Sequence, residues 1–180
     1  MPVGSLPYII ERLIAMTHRI SVERNSLRFA AAHFTTSGEE CEQLHGHNYD
    51  VSVEIEGDLT PDSWVLDFSR LKRLARGLCD ELDHRFLLPL ENSALRIAAG
   101  DTEYEIGFGE RRYVIPRADV APLPIDNSTA ERLAEWLAER LAKELRALGA
   151  TNLRRLTVGV EEAPGQTGWF ELSLGTGEPG

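Results

Sequence analysis

The chain has 180 residues and a formal net charge of −10, with 42% hydrophobic and 27% charged residues. That length suits one well-cored domain, and the acidic balance argues against a nucleic-acid binder, which needs basic stripes, and against an anionic membrane surface. Two cysteines are too few for a disulfide framework, and no apolar run approaches a membrane span, so a soluble protein of a reducing, cytoplasmic compartment is expected.

Residues 1–15 read as an N-terminal extension, since Met16 offers a second start that leads straight into strand-like sequence. Glu11 and Arg12 interrupt Tyr8-Ile9-Ile10, so no signal peptide is expected. A single domain over 16–175 follows. A first strand is expected over about 19–33, with a turn or bulge near Arg24-Asn25-Ser26. Leu27, Phe29, Ala31 and His33 share one parity on it, while His18 lies at its edge and is not expected to be a ligand. A polar loop, 34–44, carries Cys41 and Glu42.

From His45 to about residue 56 the sequence alternates with period two, Tyr49, Val51, Val53 and Ile55 against Asp50, Ser52, Glu54 and Glu56. This is the pattern of a half-buried strand, on which residues i and i+2 share a face. His45 and His47 therefore point the same way. If the two strands pair as a hairpin, His33 joins them, and three imidazoles facing one point resemble a catalytic zinc site that keeps a position open.

After a short extended stretch, Trp64-Val65-Leu66, Asp67 is a good N-cap for a helix. Phe68, Leu71, Ala75, Leu78 and Leu82 give that helix one apolar face, and Cys79 beside it reads as a small buried hydrophobe. Residues 92–124 look like an added β-hairpin, Thr102 to Phe108 and Arg111 to Ile115 around a turn at Gly109-Glu110, followed by an extended return through Pro116, Pro122 and Pro124. Ser128-Thr129-Ala130-Glu131 matches a capping box with Ser128 as the cap. Leu133, Trp136, Leu137, Leu141, Leu145 and Leu148 then mark an amphipathic helix that Gly149 closes. Two strands follow, Leu156 to Val160 and Trp169 to Leu174, and the tail after Gly175 is expected to fray. The pattern is α+β, helices on one face of an antiparallel sheet.

His33 followed by Cys41-x-x-x-His45-Gly46-His47 resembles the 6-pyruvoyl-tetrahydropterin synthase / 6-carboxy-tetrahydropterin synthase family. Leu66-Asp67-Phe68-Ser69-Arg70-Leu71-Lys72, Leu82-Asp83-His84, Asn127-Ser128-Thr129-Ala130-Glu131 and Val158-Gly159-Val160-Glu161-Glu162 are similar to further family segments, in the family's order. The resemblance implies a tunnelling fold, a four-stranded antiparallel sheet with two helices, assembled as trimers stacked into a homo-hexamer with active sites between subunits. It also implies 7,8-dihydroneopterin triphosphate as substrate and Zn2+ held by His33, His45 and His47. Two features depart from the family: the 92–124 insertion, and Ala163 where a Thr often follows the anchoring glutamate.

The family reaction removes a weakly acidic proton next to side-chain hydroxyls, and Cys41 is the expected general base, with Asp83 and His84 as a relay. From sequence alone, Asp83 reads equally well as a helix end and His84 as a surface residue. Glu162 is expected to anchor the pterin, because it shares a face with Val158 and Val160 while Glu161 does not. Thr129 is a further candidate contact. The four-residue spacing of Cys41 before His45 resembles the 6-carboxy branch, which serves queuosine-type deazapurine synthesis. Glu42-x-x-His45-Gly46-His47 also resembles a branch in which Glu replaces Cys and 6-hydroxymethyl-dihydropterin, a folate precursor, is released. A non-catalytic zinc protein organising an oligomer interface is the alternative of another class. A zinc hydrolase is weaker, since no zinc-protease helix motif is present.

Overall fold

The computed structural model describes residues 17–175; the expected N-terminal extension and the tail after Gly175 lie outside the described residues. The strands are β1 (His18–His33), β2 (Thr36–Ser37), β3 (Glu40–Cys41), β4 (His45–Gly57), β5 (Arg85–Pro89), β6 (Arg96–Ala99), β7 (Glu103–Phe108), β8 (Arg111–Pro116), β9 (Val120–Leu123), β10 (Leu153–Ala163) and β11 (Gln166–Ser173). Helix α1 spans Phe68–Leu82 and α2 spans Ala130–Ala147.

The main sheet runs β11-β10-β4-β1-β5-β9. Its first four strands pair antiparallel, as the alternating sequences require, whereas β5 pairs parallel with both β1 and β9. The expected four-stranded antiparallel sheet is thus corrected to a mixed sheet of six. Burial explains why β5 escapes sequence patterning. Leu87 belongs to the main core while Phe86 and Leu88 belong to a second cluster, so the strand is apolar on both faces and does not alternate. The expected hairpin is likewise a three-stranded sheet, β6-β7-β8. Residues 64–66 run through bends and not a strand.

Both helices cover one apolar face, built from Phe29, Tyr49, Val51, Val53, Ile55, Leu156, Val158 and Val160. Leu71, Ala75, Leu78, Cys79 and Leu82 of α1 pack into it, but Phe68, expected on that stripe, is 49% exposed. Asp67 caps α1, accepting from Arg70 N at 2.7 Å. At α2 the cap is Thr129, accepting from Arg132 N, and not Ser128. Asn127 explains the one-residue shift. It bonds Thr36 through both its side-chain oxygen and nitrogen, which draws Ser128 inward, where its hydroxyl donates to Phe34 O.

The start of α2 also rests on β11 at Gly168, where a Cβ would stand 2.5 Å from Ala130 C and Glu131 N. Gly168→Ala is therefore expected to cost about 1–3 kcal/mol, the range for overpacking, as read by chemical denaturation. It should also disturb the orientation of His33, because the same helix start carries the Ser128 carbonyl that lies 2.9 Å from His33 Nδ1.

Candidate metal centre and active site

The β1–β4 register sets His33 opposite His45 and Ala31 opposite His47. Gly46, between the two β4 histidines, leaves room for the neighbouring strand, since a Cβ there would meet Ala31 O at 2.9 Å. Val160 pairs with Val51, so Glu162 on β10 continues toward the same end of the same face. His33, His45, His47 and Glu162 come together, one ligand atom from each lying within 4.8 Å of all the others.

Hydrogen bonding fixes what these rings present. His33 Nδ1 lies 2.9 Å from Ser128 O and His45 Nδ1 lies 2.8 Å from Gln43 O. A carbonyl only accepts, so both Nδ1 atoms carry the proton and both Nε2 atoms keep a lone pair. Those two Nε2 atoms are 3.2 Å apart. Glu162 Oε1 stands 2.9 Å from His47 Nε2, too poorly aligned to satisfy that buried atom, and 3.5 Å from His33 Nε2. The two facing lone pairs of His33 and His45 repel one another unless a proton or a cation lies between them. Imidazole nitrogens around a tetrahedral ion, bound at about 2.0–2.1 Å, stand about 3.3 Å apart, so the group fits a metal. Burial pushes His33 toward its neutral, metal-competent form.

A recess of about 380 Å3 opens beside this cluster, lined by Thr35, Glu42, Thr129, Glu162, Gln166 and Thr167. Hydrogen bonding from Thr35 holds the Glu42 carboxyl below the usual range, with smaller contributions from His45 and His33. Cys41 is placed differently. Its side chain is half-buried against the second cluster of Phe34, Phe86, Leu88 and Tyr104, and it does not line the recess. Burial raises its pKa, which Arg111 partly opposes. Cys79 is fully buried in the main core, and its thiol is pushed up to about 12. Iodoacetamide is accordingly expected to modify Cys41 and spare Cys79 in the native protein, as read by peptide mass.

Asp83 and His84 follow α1 beside Ala30 of β1, whose carbonyl accepts from His84 N at 2.6 Å. Asp83 accepts from Ala30 N at 2.8 Å, which holds its carboxyl below the usual range, and it lies 3.0 Å from His84 Nδ1. His84 takes a left-handed conformation, φ 57°, uncommon for a non-glycine residue. It borders a recess of about 700 Å3 with Gly46, His47 and Asn48, of which Gly46 and Asn48 lie by parity opposite the ligating face. One chain thus unites the three histidines with Glu162, Glu42 and Thr129, while Asp83 and His84 lie outside that group and His84 shares only the larger recess with His47.

Ser128 and Tyr49 were not expected at the site. Ser128 orients His33, and the fully buried Tyr49 stands edge-on to His33 and His47 with its hydroxyl unpartnered. The phase of Tyr49 with His45 and His47 on the strand was a signal that could have found it. No helix among the described residues is long and apolar enough to cross a membrane.

A family model described as 6-pyruvoyl tetrahydropterin synthase matches residues 20–172. A protein of Methanocaldococcus jannaschii, provisionally named 6-carboxy-5,6,7,8-tetrahydropterin synthase, is 36% identical over 149 residues, 82% of this chain and 91% of its own. A dihydroneopterin monophosphate aldolase of Pyrococcus furiosus is 31% identical over 130 residues, 72% of this chain and 81% of its own. Among solved structures, a 6-pyruvoyltetrahydropterin synthase of Plasmodium vivax superposes with a TM-score of 0.83 at 30% identity, covering 88% of this chain and 99% of its own. That structure is of a variant in which a catalytic glutamate is replaced by alanine.

Proposed function

We propose that this chain, which belongs to the 6-pyruvoyl tetrahydropterin synthase family, is a zinc-dependent lyase that cleaves the side chain of a phosphorylated 7,8-dihydroneopterin with Glu42 as general base. One observation carries the reading: of the two adjacent candidate bases, Glu42 lines the recess beside the histidines and Cys41 packs elsewhere. Catalysis by a glutamate in the Plasmodium vivax neighbour and aldolase activity in the Pyrococcus furiosus relative support it.

His33, His45 and His47 would hold the ion, which when bound supplies a Lewis acid for the substrate's side-chain oxygens. Glu162, freed from the cluster, would accept two hydrogen bonds from the amino-pyrimidine edge of the pterin, with Thr129 beside it. The Glu42 carboxylate takes the proton from the second side-chain hydroxyl. The bond between the first and second side-chain carbons breaks, and that oxygen leaves as the carbonyl of a glycolaldehyde phosphate. The electron pair passes into the C6=N5 unit of the ring and returns when the first carbon is protonated. The product is 6-hydroxymethyl-7,8-dihydropterin, and atoms balance without oxidant or reductant.

Asp83 and His84 do not line the recess that holds Glu42 and Glu162, so a relay role for them is proposed to use a second copy, and the active enzyme is proposed to be a homo-oligomer. A second reading, 6-carboxy-tetrahydropterin synthesis with Cys41 as base, is favoured by the name of the Methanocaldococcus jannaschii relative. Turnover of 7,8-dihydroneopterin triphosphate and monophosphate by zinc-loaded protein, with products identified by mass, separates the two. A 6-hydroxymethyl product is expected. A 6-carboxy product would assign the base to Cys41, and no product from either compound would overturn the enzyme reading.

A further inference from the structure

The inserted sheet reaches back to the catalytic segment through one side chain. Arg111, at the start of β8, donates from Nη1 to Glu42 O at 2.7 Å and from Nη2 to Cys41 O at 2.5 Å. Successive carbonyls of a regular strand point to opposite sides, so one planar guanidinium reaches both only where the chain leaves the strand. β3 ends at Cys41. Apart from this clamp the segment is held by the short β2–β3 ladder, Thr36 with Cys41 and Ser37 with Glu40, and by Thr35. The Thr35 carbonyl accepts from Glu42 N at 3.0 Å, and Thr35 N donates to the Glu42 carboxylate. A one-residue slip of so short a ladder would exchange the directions of Cys41 and Glu42.

The arginine is itself placed by apolar packing. Its guanidinium lies over the Phe108 ring, and Tyr113, two residues on, stacks against Phe34. Phe34 follows the ligand His33 directly, so the sheet that carries Arg111 is seated on the strand end that carries the metal ligand. Cys41, Tyr113 and Ile115 all pack against the same second cluster.

We propose that Arg111 is a positioning residue that fixes the Cys41–Glu42 segment with Glu42 toward the metal cluster and Cys41 against the inserted sheet, and so selects which chemistry the site performs. The proposal deepens the reading of Glu42 as base and rests on it. It gives the insertion a task, delivering a fork to two carbonyls from about seventy residues away in sequence. Lysine could supply the charge but not the fork.

The test uses the full chain loaded with zinc and compares native protein, Arg111→Ala and Arg111→Lys. Cys41 alkylation by iodoacetamide is followed by peptide mass, metal content by elemental analysis, and products by mass. With the clamp gone, Cys41 alkylation should quicken about tenfold and formation of the Glu42-dependent product should fall about tenfold or more, at unchanged zinc content. Arg111→Lys should fall between. In a Glu42→Gln background, Arg111→Ala should add little to the loss, since both changes act on one group. Native alkylation and native product yield in Arg111→Ala would overturn the proposal, as would an equal loss with and without Glu42. If Arg111→Ala does not fold, Arg111→Lys decides, and native behaviour there overturns it. If the native chain turns over neither pterin, the proposed function has failed, and the alkylation rates alone decide whether Arg111 sets the segment.

Discussion

Glu42→Gln is expected to lower turnover of phosphorylated dihydroneopterin by about 10²–10⁴-fold, the usual contribution of a general base. Zinc content and folding should be unchanged. The carboxylate is exposed, it accepts from Thr35, whose N lies 3.3 Å away, and a glutamine oxygen can accept in its place. The matched change Cys41→Ala should cost less than about tenfold, because it deletes a half-buried sulfur on the second cluster and not a group of the recess. The pH sense separates the two bases as well. Glu42 titrates below the usual carboxylate range, so its basic form persists through neutral pH and is lost only as pH falls through that depressed value. Cys41 titrates above its usual range, so a thiolate base would make the rate climb on the alkaline side. Reversal of the two mutational effects, with Cys41→Ala inactive and Glu42→Gln active, would move the chemistry to the 6-carboxy reading.

The clustering of the three histidines was legible in the sequence because strand geometry is local. Period-two spacing puts His45 and His47 on one face, and the parity of His33 on the preceding strand does the rest once β1 and β4 pair. Glu162 was legible for the same reason, through its phase with Val158 and Val160, although the phase could not say that its carboxylate reaches His47. Helix α1 was read nearly to the residue from Asp67 and its apolar spacing. The parallel strand β5 carried no periodic signal, since a strand buried on both faces has no polar side to alternate, and β9 is only four residues long.

What stayed hidden depends on contacts distant in sequence. Ser128 looked like a helix cap, and only the Asn127–Thr36 bonds turn its carbonyl toward His33. Asp83 and His84 matched a family motif, yet nothing local says that they lie outside the group formed by the histidines, Glu42 and Glu162. The sequence points to Cys41 as the base, and no local signal shows that Glu42 lines the recess while Cys41 packs on the second cluster, an arrangement bonded to Arg111 across 69 and 70 positions of chain.

Glu162→Gln, set beside alanine changes at the histidines, is expected to separate two roles that the geometry superposes on one carboxylate. His33→Ala, His45→Ala and His47→Ala each remove a nitrogen from the ligand set. Each should cut zinc affinity by more than about 100-fold, beyond what the loss of an outer-shell partner does, and turnover should vanish with the metal. His33→Ala should also destabilise the fold, since that ring is fully buried between β4 and the Ser128 carbonyl. Glu162→Gln should behave differently if the carboxylate's task is the pterin. Zinc stays bound by three imidazoles, KM rises because an amide offers one acceptor where the carboxylate offered two, and kcat changes less. Should Glu162→Gln instead shed zinc like the histidine variants, the carboxylate would be a fourth permanent ligand. A site closed by four protein ligands holds structure and leaves no position for substrate. Zinc stoichiometry of this one variant therefore separates an open catalytic centre from a closed structural one, before any substrate is added.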